Sequence, residues 1–342
     1  MLACKAFHGE VMSASHLQKT IMTAQEFIQL KLDKLRQPEP LQDIAPDKLE
    51  GVILAKVLSK KFRKNKADDA AINICKKAIH FAVDNKQPVK VGVLFGGNKL
   101  WRFDEAPEPD WAELFNLIYI ARWMKTIAGV YEYGADFEYY SQDISVERLN
   151  NLSHAETSQY SKIFRELLDW FSKYLPERVT ISYKCHSELF DDRKEYDKEI
   201  EIAKAKILAG NNGELPKLND SQRRTTELNV RLKPSQDNDP KWREKVELEH
   251  QAIFTTKTLL PHLLNKNRIH TSSAPFTGYI ATGSTKYSIA KFWASIGVLR
   301  PNGDKYDELA LSPKQLEAAQ FDWQNINLGI NGKNFTKIRI IK

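Results

Sequence analysis

The stretch VGVLFGGNKLWRF, Val91 to Phe103, runs an apolar segment into two glycines and then into Lys99, Trp101 and Arg102. Glycines let backbone N–H groups approach an anion closely, and two cations add charge. Gly96, Gly97, Lys99 and Arg102 together therefore suit a phosphate or a carboxylate. The pattern is neither GxGxxG nor GxxxxGK[ST], and a Gly-Gly turn that serves backbone geometry alone reads equally well. Further on, Asp110 follows Pro109 and Glu113 stands one turn later. A carboxylate there can hold an ammonium group or move a proton, although acidic residues in a first helical turn also complement the helix dipole.

A second turn, Gly283, Ser284, Thr285 and Lys286, is small, hydroxyl-rich and cationic. It has the donors to cradle a phosphate, and its alternative is a hairpin turn with a surface lysine. Asp143 closes an alternating aromatic segment, DFEYYS, and Arg148, Asn150 and Asn151 follow it. Polar groups after a strand are placed where a sheet protein keeps its site, and loop polarity accounts for them as well. RRTTELNVR offers Arg224, Asn229 and Arg231, but the i,i+4 spacing of Arg223, Glu227 and Arg231 is first of all that of a solvated helix face. The eight histidines form no HExxH, the three cysteines (Cys4, Cys75, Cys185) form no CxxC, and no GxSxG is present. No metal site, no cofactor site and no serine nucleophile is assigned.

These residues need elements to position them. Residues 1–84 read as a basic helical N-terminal extension. Thr23 and Glu26 have capping-box spacing, three prolines interrupt Arg36 to Pro46, and apolar residues recur at helical spacing over 47–64 and 68–84. The residues before Met22 carry little pattern, which leaves Met12 and Met22 as alternative starts. Over 85–190, VKVGVLF reads as a strand covered on both faces, 109–130 as an apolar-striped helix, DFEYYS and RVTISYK as strands, and 153–174 as a helix opened by Ser153 and Glu156. Strand and helix alternating at this spacing predict a Rossmann-like, mainly parallel α/β sheet. Residues 191–266 are helical and charged. Residues 267–342 return to short strands that extend the sheet or build a small C-terminal α/β subdomain. Should they extend it beside VKVGVLF, Lys99 and the Gly283 to Lys286 turn would converge on one anion.

A chain of 342 residues, 42% hydrophobic, has enough apolar surface for one large core or two smaller ones. No run approaches the roughly 20 apolar residues of a membrane span, and the opening thirty lack a signal-peptide centre, so the expected compartment is the cytoplasm. Of the net charge of +7, residues 1–66 carry +5 (twelve Lys or Arg against seven Asp or Glu), densest over Lys56 to Lys66. That run reads as the solvated end of a helix, with nucleic acid as the alternative partner. Oligomeric state is left open.

From about residue 85 to 170 the order of features resembles the isonitrile (isocyanide) synthase family of the pyoverdine and dityrosine-biosynthesis type. The matching pieces are VGVLFGGNK, the Pro109-Asp110-Trp111-Ala112-Glu113 helix start, GVYEYGADFEYYS and Asp143. They cover about a quarter of the chain. The Arg-Leu-Ser-x-His type signature of that family is missing, and RVTISYKCH does not replace it. The resemblance implies condensation of an amino acid's amine with the ketone of a phosphorylated pentulose, without metal or nicotinamide. Lys99, Arg102 and Lys286 would then bind the phosphate and carboxylate, and Glu113 and Asp143 would handle the amine and its protons. The alternatives are a nucleic-acid-binding or nucleic-acid-modifying protein using the basic N-terminal helices, and a non-catalytic binding module.

Overall fold

A computed structural model describes residues 22–97, 99–103, 108–231, 238–274, 276–283 and 289–342. The helices are α1 (Ala24–Arg36), α2 (Pro46–Val57), α3 (Asp69–Asp84), α4 (Lys99–Arg102), α5 (Trp111–Ala128), α6 (Asp143–Asn150), α7 (His154–Ser172), α8 (Arg193–Gly210), α9 (Asp220–Asn229), α10 (Trp242–Phe254), α11 (Leu259–Leu263) and α12 (Pro313–Glu317). The strands are β1 (Val89–Phe95), β2 (Ala135–Ser141), β3 (Val179–Cys185), β4 (Ile269–Ser272), β5 (Ile280–Ala281), β6 (Ile296–Asn302), β7 (Lys305–Leu311), β8 (Phe321–Asn325) and β9 (Lys337–Ile341). Helix starts follow their caps. Thr23, Asp110 and Ser153 each accept a backbone N–H from the first turn, and Glu26, Glu113 and Glu156 reach back to complete the box.

The fold is Rossmann-like α/β. Five strands pair in the order β3-β2-β1-β4-β5, all parallel. The chain moves outward from β1 to β3 and then returns to the other side of β1, so β1 and β4 flank a topological switch point, where open α/β sheets bind ligands. Residues 267–342 thus supply two strands to this sheet. They also build a second, mixed sheet in the order β7-β6-β9-β8.

One face of the parallel sheet (Val91, Val93, Phe95, Phe137, Tyr139) is apolar and packs with α5 and α7 in the main core. Helices α1 to α3 belong to that core through Phe27, Ile28, Leu32, Val57, Cys75 and Ile79. The opposite face differs from the expectation that β1 is covered on both sides. Lys90 and Leu94 are partly exposed, and the Arg268 side chain crosses Gly92 to reach Glu138 at 2.7 Å. Only its carboxyl-end half is roofed, where Tyr140 and Ile144 pack under Tyr196, Ile200, Ile253 and Leu259 of α8, α10 and α11.

The two sheets meet at the start of α5. A Cβ on Gly297 of β6 would lie 2.2 Å from Ala112 N and 2.4 Å from the Trp111 carbonyl carbon, so only glycine lets β6 sit against that helix turn. Overpacking of this kind costs about 1–3 kcal/mol and occasionally more, and an obstruction made of backbone cannot swing aside. Gly297→Ala is expected to lower the unfolding free energy by that order in urea titrations, whereas Gly210→Ala, with nothing within 4 Å, is expected to leave it unchanged or slightly raised.

Candidate active site

At the carboxyl ends of β1 and β2, beside the switch point, lies a cavity of about 540 Å³. Its floor is Leu94, Phe95 and Gly96 with Gln142, one wall is Ser145, Val146, Leu149 and Asn150 of α6, and its roof is α9 and α10. Phe276 and Trp293 close the remaining side. Gln142 N–H donates to Phe95 O at 3.0 Å, which joins the start of α6 to the end of β1. The lining is mostly apolar. Against it stand Gln142 Nε2, Ser145 Oγ and Asn150 Oδ1, all buried and without a hydrogen-bond partner among the described residues. A buried polar atom left unpaired is costly, and three of them belong to residues that line one cavity, which makes it the candidate place for a polar ligand. Among the described residues no Lys or Arg lines it.

Next to this floor is a fully buried charge cluster. Lys99 Nζ donates to Asp110 Oδ1 at 3.0 Å and to Glu113 Oε1 and Oε2 at 2.8 and 2.6 Å, with Lys99 and Glu113 at 0% exposure. Tyr160 Oη donates to Glu113 Oε1 at 2.8 Å, Asp110 N–H to Glu113 Oε2 at 2.8 Å, and Ala112 N–H to Asp110 Oδ1 at 2.7 Å. Burial pushes the Glu113 carboxyl up to about 8; Lys99 opposes this and the neighbouring Asp110 carboxylate adds to it. The physical cause is plain: one cation against two anions in a dry interior favours uptake of a further proton.

No protein-family profile matches this sequence, and no curated protein does. The fold has a solved counterpart. The crystal structure of the PvcA protein from Pseudomonas aeruginosa superposes with a TM-score of 0.54 over 86% of this chain and 100% of that one, at 14% sequence identity. At that identity the likeness is one of fold.

The residues singled out in the sequence are distributed over this geometry. Gly96 lines the cavity, and Gly97 packs on Val146 of its α6 wall. Lys99 does not face the cavity, because Asp110 and Glu113 take up its donors inside the protein. Arg102 is half-buried with its guanidinium 5.1 Å from the Trp101 ring centre. Asp143 and Arg148, read as loop residues, lie on α6 and turn away from the cavity. Asp143 accepts from Ser187 N–H at 3.1 Å and Ser187 Oγ–H at 2.5 Å, while Arg148 pairs with Asp197, Glu201 and Glu249 of α8 and α10. Gly283 takes a left-handed φ of 104°, and its N–H donates to Tyr119 Oη at 3.0 Å rather than to a ligand. Ser284, Thr285 and Lys286 lie outside the described residues. The basic run reaches β5, where Arg63 bridges Thr282.

Gln142 and Ser145 escaped the sequence reading. Their signal was the helical spacing of Ser145 with Leu149 and of Val146 with Asn150, which puts one polar and apolar stripe of α6 toward the cavity. The only grouping of metal-ligand types among the described residues, Glu50, His80 and Asp84, is exposed between α2 and α3. There the His80 ring bridges the two carboxylates at 2.9 and 3.2 Å, which raises its pKa, and both nitrogens are engaged. No helix among the described residues is long and apolar enough to cross a membrane.

The buried cluster gives a signed pH dependence. Folded Glu113 keeps a proton up to about pH 8, whereas the unfolded carboxyl releases it near its ordinary value of 4.5. The folded state therefore binds more protons in that window, and stability is lost as pH rises through it. Glu113→Gln is expected to flatten this slope by up to one proton in urea titrations between pH 5 and 8, and an unchanged slope would exclude Glu113 as its source.

Proposed function

We propose that the chain is a small-molecule enzyme whose cavity at the ends of β1 and β2 takes an amino acid with a large apolar or aromatic side chain. The supporting observation is the set of three unpaired buried atoms, Gln142 Nε2, Ser145 Oγ and Asn150 Oδ1, on residues of a cavity that is also lined by Leu94, Leu149, Phe254 and Trp293 and, on its roof, by Glu247 and His250. In this reading the Gln142 amide N–H donates to the substrate carboxylate, Ser145 and Asn150 accept from its ammonium group, and Leu94, Leu149, Phe254 and Trp293 surround the side chain. The fold shared with PvcA agrees with the motifs that resemble isonitrile synthases, so the chemistry proposed is condensation of the amine with the ketone of a phosphorylated pentulose.

Arg102 and the residues Ser284, Thr285 and Lys286 remain the proposed anion contacts, with Asp143 proposed to act on protons through Ser187. Lys99 and Glu113 enter as positioning residues. Their ion pair ties the turn after β1 to the first turn of α5, and so holds the Gly96 backbone under the substrate.

Titration calorimetry with tyrosine, phenylalanine and glycine tests the reading. The aromatic amino acids are expected to bind and glycine is not. Loss of one hydrogen bond to a charged group costs about 1.5–3 kcal/mol, so Asn150→Leu should weaken binding ten- to a hundredfold. Failure of the aromatic amino acids to bind, or indifference to Asn150→Leu, would remove the proposal. The roof gives a second expectation. Helix α9 turns Ser221, Gln222, Thr225 and Thr226 to the cavity and is tied to α10 by the Arg223–Glu244 and Arg243–Glu227 ion pairs at 2.5 and 2.7 Å. Partly exposed ion pairs contribute little, so α9 is expected to exchange its amide hydrogens early and to gain protection when ligand binds.

A further inference from the structure

A second cavity, of about 450 Å³, lies between the first turn of α5 and the second sheet. Its walls include Lys333, Asn334, Lys337 and Arg339, with Trp323 on β8 and Asp110 at the floor. The register explains the convergence. Trp323 is paired with Arg339 across β8 and β9, and Lys337 is two residues from Arg339, so all three side chains leave the sheet on one face. Lys337 Nζ lies 4.3 Å and the Arg339 guanidinium carbon 4.6 Å from the indole centre, and the indole is still half exposed. Lys333 and Lys337 form no ion pair among the described residues, although like charges gathered in a concavity repel.

The cavity is also firmly built. Trp111 Nε1–H donates to Lys337 O at 2.8 Å, the Trp111 ring meets Phe335 edge to face at 5.3 Å, and Asn334 Nδ2–H donates to Pro109 O at 3.4 Å. The floor carboxylate does not cancel the cationic wall, because Lys99 and the Ala112 N–H already compensate Asp110 from inside. The space is far larger than a phosphate group needs. Three cations, an aromatic platform and a hydrogen-bond acceptor in one concavity match the parts of a nucleotide.

We propose that this cavity binds a nucleotide-type ligand, its phosphate held by Lys333, Lys337 and Arg339 and its base laid against Trp323. Arginine and lysine supply charge-assisted bonds to phosphate, and base stacking on an aromatic ring tolerates any base. Asp110 Oδ2, whose contacts within the protein are long (3.4 Å from Gly297 N), accepts from a ribose hydroxyl or an exocyclic amine.

Titration calorimetry of the full chain with AMP, ribose 5-phosphate and a fifteen-residue oligo(dT) tests this. AMP is expected to bind more tightly than ribose 5-phosphate. Lys333→Ala and Lys337→Ala are each expected to weaken both about tenfold, and Trp323→Ala to weaken AMP about tenfold while leaving ribose 5-phosphate unchanged. Both lysines and Trp323 are exposed, so these variants should keep the thermal melt of the parent. Asn150→Leu, at the other cavity, should leave AMP binding unmoved, which separates this proposal from the amino-acid site. The proposal is overturned if AMP does not bind, if ribose 5-phosphate binds as tightly as AMP, if Asn150→Leu abolishes AMP binding, or if oligo(dT) binds far more tightly than AMP, which would assign the wall to a nucleic-acid strand.

Discussion

The contact on which the rest of the molecule depends is the buried pairing of Lys99 with Asp110 and Glu113. It joins four elements that are distant in sequence: the turn after β1 through Lys99, the start of α5 through the two carboxylates, α7 through Tyr160, and β6 through the Gly297 N–H that faces Asp110. Taking an ammonium group and two carboxyl groups out of water is expensive, and a buried ion pair is poor evidence for stability in itself. Breaking it by removing one partner is another matter, with costs of about 3–5 kcal/mol because the survivor is left uncompensated. The arrangement therefore specifies geometry: the exit of β1 has one place to go, and α5 has one place to start.

That placement decides which groups are left to meet a ligand. Since Lys99 is enclosed, the cavity at the strand ends offers amide and hydroxyl groups from α6, Ser145 and Asn150, beside Glu247 and His250 of α10. The remaining charges of α6 are drawn off by neighbours. Glu147 accepts from Thr157 at 2.6 Å and pairs with Arg193, and Arg148 is gripped by three acids of α8 and α10. These contacts fix the rotation of α6 about its axis, and the same rotation presents its polar and apolar stripe inward. Ion pairs on the outside of one short helix thus shape the chemistry on its inside.

How far this was legible in the sequence follows from the range of the interactions involved. Strand β1, helices α5 and α7 and their caps are local matters of alternation, periodicity and a Ser or Asp three residues before a Glu, and they stand where those signals put them. The Asp110 and Glu113 pair was read both as a helix start and as a carboxylate beside Lys99, and the coordinates make it both at once: a capping box whose outer oxygens hold an ammonium group. Helix α6 was missed because it has only two turns and its polar residues are indistinguishable from a loop. Strands β4 and β8, of four and five residues, are too short to show a period. The fate of Arg148 was not readable at all, since its partners lie 49, 53 and 101 residues away.

The start of α5 has a further consequence. Asp110 lines the cavity under the second sheet with one side of its carboxylate and binds Lys99 with the other, while the Lys99 turn leads back through Gly97 to the floor of the first cavity. The start of α5 thus reaches the second cavity directly and the turn beside the first through Lys99. The bonds of Lys99 to Asp110 and Glu113 fix the glycine turn beside the first cavity. The same three residues that hold the fold together, Lys99, Asp110 and Glu113, therefore stand between the turn after β1 and the cavity under the second sheet.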